Sequence, residues 1–93
     1  MGKTIKIDIN GEPFETSEPF EAFAFTTAVH HYGYEGGLAQ EITELCFELY
    51  LDFEHVNEYA LVFAVLEHYD SLPDDYNEIK DFILDKGIEY NLF

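Results

Sequence analysis

The chain contains no arginine and no tryptophan, and its 93 residues include four lysines and one cysteine. Between Lys6 and Lys80 no basic residue occurs other than histidine. Each absence excludes something. A single cysteine cannot form an internal disulfide, so nothing points to an oxidising compartment. Cys46, set between Leu45 and Phe47, reads as a buried and inert thiol. Without arginine, and nearly without lysine, the chain cannot grip phosphates, which counts against phosphate chemistry and against direct nucleic-acid binding. The longest apolar run, Tyr59 to Leu66, falls far short of the ~20 residues that span a bilayer. Anionic membrane surfaces would repel so acidic a chain. The opening MGKTIKIDING lacks the apolar stretch of a signal peptide. These features predict a cytoplasmic protein with no membrane contact.

What is present is acid. Twenty Asp and Glu stand against the four lysines, giving a formal net charge of −16. The chain is not an acidic disordered tail, because 47% of it is hydrophobic and 17% aromatic. At this length one acidic domain spanning residues 1–93 is expected, burying roughly 60–65% of its unfolded surface. Self-repulsion on this scale adds nothing to stability, so the charge is more plausibly kept for what it attracts. A salt-adapted chain would use its acids for solvation alone. The large core residues, and frequent Asn, Tyr and Ile, count against that explanation.

The pattern predicts an α+β fold, mostly helical, with an N-terminal β-hairpin packed on three to four helices. Ile5, Ile7 and Ile9 alternate with Lys6 and Asp8 as in a half-buried strand. Asn10-Gly11 suits a two-residue type I′ turn, and Pro13 makes the return strand an edge. Ser17 reads as the N-cap of a helix that carries Pro19 in its first turn. Over residues 20–29 helical spacing competes with strand-like alternation. Helices are expected from Leu38 to about Asp52, with Leu38, Ile42, Leu45 and Leu49 inward, and from Val56 to about Asp70, with Val56, Ala60, Phe63 and Leu66 inward. The apolar middle of the latter would be a central helix or a homodimer seam. Ser71-Leu-Pro-Asp74 resembles a capping box for a last helix ending near Lys86. Gly87 is placed for a left-handed cap, with Ile88 against Ile83, and Leu92-Phe93 for packing back on the core.

Catalytic chemistry is poorly supported, and no cofactor is implied. His30 and His31 diverge by roughly 100° on a helix, so they cannot share a metal. His55 and His68 lack zinc-type partners, and Asp74, Asp75, Asn77 and Glu78 lack the spacing and glycine of a calcium loop. Ser17 and Ser71 both read as caps, and no nucleophile or phosphate-loop motif occurs. The expectation is a protein that is not an enzyme and has no catalytic or metal residues.

The carboxylates fall into rows. Glu41, Glu44, Glu48 and Asp52 share one helix face, and Asp75, Glu78, Asp81 and Asp85 form a second row. Successive charges lie ~4.5–6 Å apart along the axis. In an ordinary helix lysines would be interleaved, so their absence is the informative part. Duplex DNA carries one negative charge per ~1.7 Å of axis, and rows of carboxylates can imitate its phosphates. These eight residues are therefore the candidate partner-binding set, and the expected partner is a basic nucleic-acid-binding protein. Tyr50, Tyr76 and Tyr90 would add contact area. An acidic adaptor, antitoxin-like or regulatory protein that mimics nothing would be steered to a basic partner equally well.

Val56-Asn-Glu-Tyr59, followed by Ser71-Leu-Pro-Asp-Asp75, resembles a helix of the ArdA-type antirestriction proteins. That helix opens on an acidic, Asn-containing turn and closes at Leu-Pro plus two acids. The stretch covers about 20 residues of this chain. More broadly, the charge balance is similar to that of phage and mobile-element inhibitors, anti-CRISPR proteins among them, that act as DNA mimics. The ArdA resemblance implies a dimeric inhibitor of type I restriction enzymes, and the wider expectation is an inhibitor that occupies the DNA site of a restriction enzyme or CRISPR effector.

Overall fold

A computed structural model describes residues 3–93, and its fold is α+β: an antiparallel hairpin followed by helices. The chain forms two compact units, residues 1–47 and 48–93, with the boundary inside a long helix.

In the first unit, β1 (Ile5–Ile9) pairs with β2 (Glu12–Thr16). Asn10 and Gly11 both take positive φ, 53° and 81°, as a type I′ turn demands. Pro13 opposes Asp8 in a two-stranded sheet, where its missing N–H is tolerated. Residues 20–29 are helical. Helix α1 (Pro19–Thr26) runs into a single π-helical turn, Thr27–His31. Ser17 does not cap α1. The preceding Thr16 organises the entrance, accepting the Glu18 N–H at 3.0 Å and donating to Glu21 Oε1 at 2.6 Å. Thr27 gives its hydroxyl to the Phe23 carbonyl at 2.8 Å, a back-bond that bends helices, and the ladder widens there. Phe14 from β2 stacks on the fully buried Phe25 of α1, with centroids 4.4 Å apart. His31, at the end of this segment, is exposed, while Phe25 is fully buried.

Helix α2 (Gly36–Phe53) crosses the unit boundary. Its buried positions are Ala39, Ile42, Thr43, Cys46 and Leu49. Leu38 is exposed and Leu45 half-buried, so the inward stripe is rotated from the one the leucines suggest. Thr43 tolerates full burial because its hydroxyl is bonded to the Ala39 carbonyl at 2.8 Å.

In the second unit α2 ends in a turn where Glu54 and His55 both have positive φ, 43° and 56°. Asn57 then caps α3 (Glu58–Glu67), its side chain accepting from the Ala60 N–H at 3.1 Å. Leu61, Val62, Ala64, Val65 and Leu66 are buried, whereas Ala60 and Phe63 are only half-buried. A 3₁₀ turn, Tyr69–Ser71, ends this segment before Leu72-Pro73. The last long helix, α4 (Tyr76–Asp85), is capped by Asp75 through the Glu78 N–H at 3.2 Å, not by Ser71. Gly87 does not adopt a left-handed cap. It opens a short helix, α5 (Gly87–Tyr90), and the left-handed residue is Asn91 at φ 56°. Ile88 consequently turns out to solvent and is 93% exposed. Leu92 is buried, and its carbonyl accepts the Asn57 N–H at 2.8 Å.

Candidate functional site

All eight carboxylates of the two rows are exposed to solvent. Glu41, Glu44, Glu48 and Asp52 ride on the single helix α2, so their spacing of three to four residues does align them on one side. Asp75 caps α4, while Glu78, Asp81 and Asp85 follow along its exposed side.

Cations do little to offset them. Among the described residues the ion pairs are Lys6–Glu15, Lys80–Asp52 and Lys86–Glu89, each at 3.8 Å and none buried. Exposed pairs of this kind contribute about 0–1 kcal/mol. Of the eight row residues, Asp52 alone is ion-paired among the described residues.

The second unit holds several acids in another way, through neutral hydroxyls. Tyr76 donates to Asp52 at 2.6 Å, Tyr90 to Glu67 at 2.7 Å, and Tyr50 to Glu58 at 2.9 Å. A phenol hydroxyl orients a carboxylate without cancelling its charge. Burial comes first, and then the bond to Asp52 and the charges of Asp52 and Glu48, in pushing the Tyr76 phenol well above its ordinary pKa. With its proton given to Glu67, the Tyr90 hydroxyl can accept from His68, whose Nε2 lies 3.0 Å away. The three tyrosines expected to add contact area are half-buried, and each gives its hydroxyl to a carboxylate. Sequence reasoning missed that role, because hydroxyl and acid lie eight to 24 residues apart.

Two row residues occupy positions that the helix dipole disfavours. Asp52 lies in the last turn of α2, and Asp85 is the final residue of α4. A negative charge at a helix C-terminus costs a few tenths of a kcal/mol, up to about 1. At Asp52 the Tyr76 hydroxyl and Lys80 offset this, whereas at Asp85 no hydrogen bond or ion pair among the described residues does.

Other residues that bear chemistry are dispersed. Among the described residues no group of three or more His, Cys, Asp or Glu is gathered to hold a metal. His30, His31 and His55 are exposed. Cys46 is fully buried, and burial pushes its thiol pKa up to about 12, far from the thiolate that reacts. Shallow depressions lie over Glu48, Leu51, Asp52 and Tyr76, about 390 Å³, and over Leu84, Gly87, Ile88, Asn91 and Phe93, about 270 Å³. No helix of the described residues is long and apolar enough to cross a membrane. No family model, curated protein or solved structure matches the chain.

Proposed function

We propose that this protein is a binding protein, not an enzyme: a cytoplasmic DNA-mimic inhibitor that occupies the DNA site of a basic nucleic-acid-binding protein. The observation that carries the reading is the exposure of all eight row carboxylates, of which, among the described residues, Asp52 alone is ion-paired with a lysine. Local stability accounts for Asp75, which caps α4, but not for the rest of the rows. Like charges at i,i+4 oppose the helix, and Asp85 opposes its dipole. Attraction does account for them, because a protein that neutralises phosphates with Lys and Arg meets a comparable string of anions here. The resemblance of Val56–Tyr59 and Ser71–Asp75 to ArdA-type antirestriction proteins points the same way, toward a restriction enzyme or CRISPR effector as target.

The test is displacement. A partner captured at low salt is loaded with a labelled DNA duplex, and the acidic protein is titrated in. Release of the duplex is expected, with a steep loss of inhibition as salt rises. Replacing Glu44 and Glu48 together by Lys should flatten that salt slope, while either change alone has a modest effect. A ternary complex that keeps its DNA rejects mimicry and leaves an acidic adaptor, antitoxin-like or regulatory protein.

A further inference from the structure

The row on α4 ends, at Asp85, next to an apolar patch that the mimicry reading does not use. Leu84 on α4, Ile88 on α5 and Phe93 line one depression with Gly87 and Asn91. Leu84 is 44% exposed, Ile88 93% and Phe93 69%. Scattered single leucines on a surface mean nothing, but three large apolar side chains around one concavity form a candidate contact site.

The patch is built rather than left over. Gly87 is buried, and a Cβ there would lie 3.0 Å from the Phe93 ring, so the missing side chain is what lets that ring lie down. Phe53 meets Phe93 edge to face, with centroids 6.4 Å apart. Asn91 takes the left-handed turn that returns the chain, closed by the Leu92 N–H on the Gly87 carbonyl at 2.9 Å. Phe93 is thus held from two sides while its remaining surface faces solvent. A pre-positioned aromatic binds at low entropic cost.

The rim is acidic. Asp81 and Asp85 are exposed on α4, and Glu89 is exposed on α5. The nearby cation, Lys86, is occupied, with its Nζ 3.8 Å from Glu89 and over the Phe82 ring at 5.5 Å. The charge therefore selects the occupant. A second copy of this chain would set like charges against one another around the patch, which costs association. A bare row of lysines or a nucleic acid would leave the apolar centre unfilled.

We propose that the Leu84–Ile88–Phe93 patch is the apolar anchor of the partner interface. It takes a basic amphipathic helix of the target, with apolar side chains over Ile88 and Phe93 and cations against Asp81 and Asp85. This deepens the inhibitor reading and rests on it. The carboxylate rows give long-range attraction that salt removes, and the anchor gives a short-range component that salt does not.

The experiment uses the full chain and two labelled peptides of equal positive charge. One is a helical Lys/Leu peptide with leucines at i, i+3, i+4 and i+7, and the other replaces its leucines by serine. Binding is measured by anisotropy at ~50 and ~500 mM salt, spanning strong and weak screening. The expected result is that both bind at low salt, but at high salt only the Lys/Leu peptide does, about tenfold or more tighter than its serine counterpart. Amide shifts should then centre on Leu84, Ile88 and Asn91. Ile88→Asn, at a position too exposed to endanger the fold, should reduce the Lys/Leu peptide to the level of the serine peptide, and Ile88→Leu should restore it. Equal high-salt affinity for the two peptides, or shifts centred elsewhere, overturns the anchor while leaving the inhibitor reading intact. Sedimentation showing a dimer that Ile88→Asn dissociates also overturns it, since the patch is then a seam between copies. Failure of both peptides to bind at low salt removes the electrostatic attraction on which the inhibitor reading and the anchor both depend.

Discussion

The two halves of the chain use their acids differently. In residues 1–47 the interior is fastened by apolar contacts, the hairpin ladder and the Phe14–Phe25 stack. Its acids mostly stand outside that framework, with Glu41 and Glu44 free of hydrogen bonds and ion pairs among the described residues. Glu21, held by Thr16, and Glu15, beside Lys6, are the exceptions. In residues 48–93 four carboxylates are structural members. Asp75 starts a helix, and Asp52, Glu58 and Glu67 each receive a tyrosine hydroxyl. An acid used in the scaffold and an acid kept for a partner look alike in composition, but they differ in what their removal does to the fold.

The largest expected effect lies in the first unit and involves no charge. Phe25 is fully buried and stacked on Phe14 at 4.4 Å, so Phe25→Ala should cost ~3–5 kcal/mol by urea unfolding. A loss under 1 kcal/mol would mean the aromatic stack does not fasten this unit.

Next comes a carboxylate that the second unit needs. Asp75 accepts the Glu78 N–H, so Asp75→Ala should cost about 1 kcal/mol, while Asp74→Ala should change little. Equal effects at the two neighbours would place the cap elsewhere. The sequence did not separate these two. Ser71-Leu-Pro-Asp74 satisfies the capping pattern as well as Asp75 does, and what decides is that α4 starts at Tyr76 with the Glu78 N–H bonded to Asp75.

That ambiguity shows what was readable. The hairpin was legible because alternation and Asn-Gly specify strand, turn and face together. The exposure of the rows was legible because helical spacing fixes which carboxylates share a face. The inward stripe of α2 was not. Apolar size suggested Leu38 and Leu45, whereas the interior selects small residues, Ala39, Thr43 and Cys46, and satisfies the Thr43 hydroxyl locally. Gly87 was misread for a related reason. A glycine after a helix suggests a left-handed cap, but here its value is the space it leaves for Phe93, and that turned Ile88 outward. Nothing local marks the turn at Glu54-His55, where two residues other than glycine take positive φ. The tyrosine–carboxylate bonds join distant positions and have no signature at all in a single sequence.

A third prediction concerns pH. The Tyr76 phenol is raised by burial, by its bond to Asp52 and by nearby charge, so the folded chain holds this proton more tightly than the unfolded one. Its contribution is therefore complete below the ordinary phenol pKa of ~10 and is lost as pH rises through the folded value. In a tyrosinate absorbance titration one phenol should lag behind the others, and Tyr76→Phe should abolish the lag. Asp52→Asn should bring that ionisation back toward the ordinary range. If Asp52→Asn leaves it unmoved, Asp52 is not a supported carboxylate, and the contrast between the halves weakens.

The smallest effect tests the other side of that contrast. Glu41 and Glu44 lie one turn apart on α2, both exposed, with no cation or hydroxyl of the described residues attached to either. Their mutual repulsion and that of Glu44 with Glu48 oppose the helix, each pair by ~0.2–0.5 kcal/mol. Changing Glu41 and Glu44 to Gln keeps the side-chain shape and removes both charges. The expected outcome is a protein as stable as the parent or a few tenths of a kcal/mol more stable. The gain should shrink as salt is raised, since screening removes the same repulsion. The decisive comparison is with Asp75→Ala, which loses stability at any salt because a hydrogen-bonded cap is not a screened charge. If the double Gln variant is instead destabilised, Glu41 and Glu44 belong to the scaffold after all. If it gains stability and still displaces DNA from the captured partner at unchanged affinity, this end of the row lies outside the interface, and Asp81 and Asp85 beside the apolar patch become the residues to test.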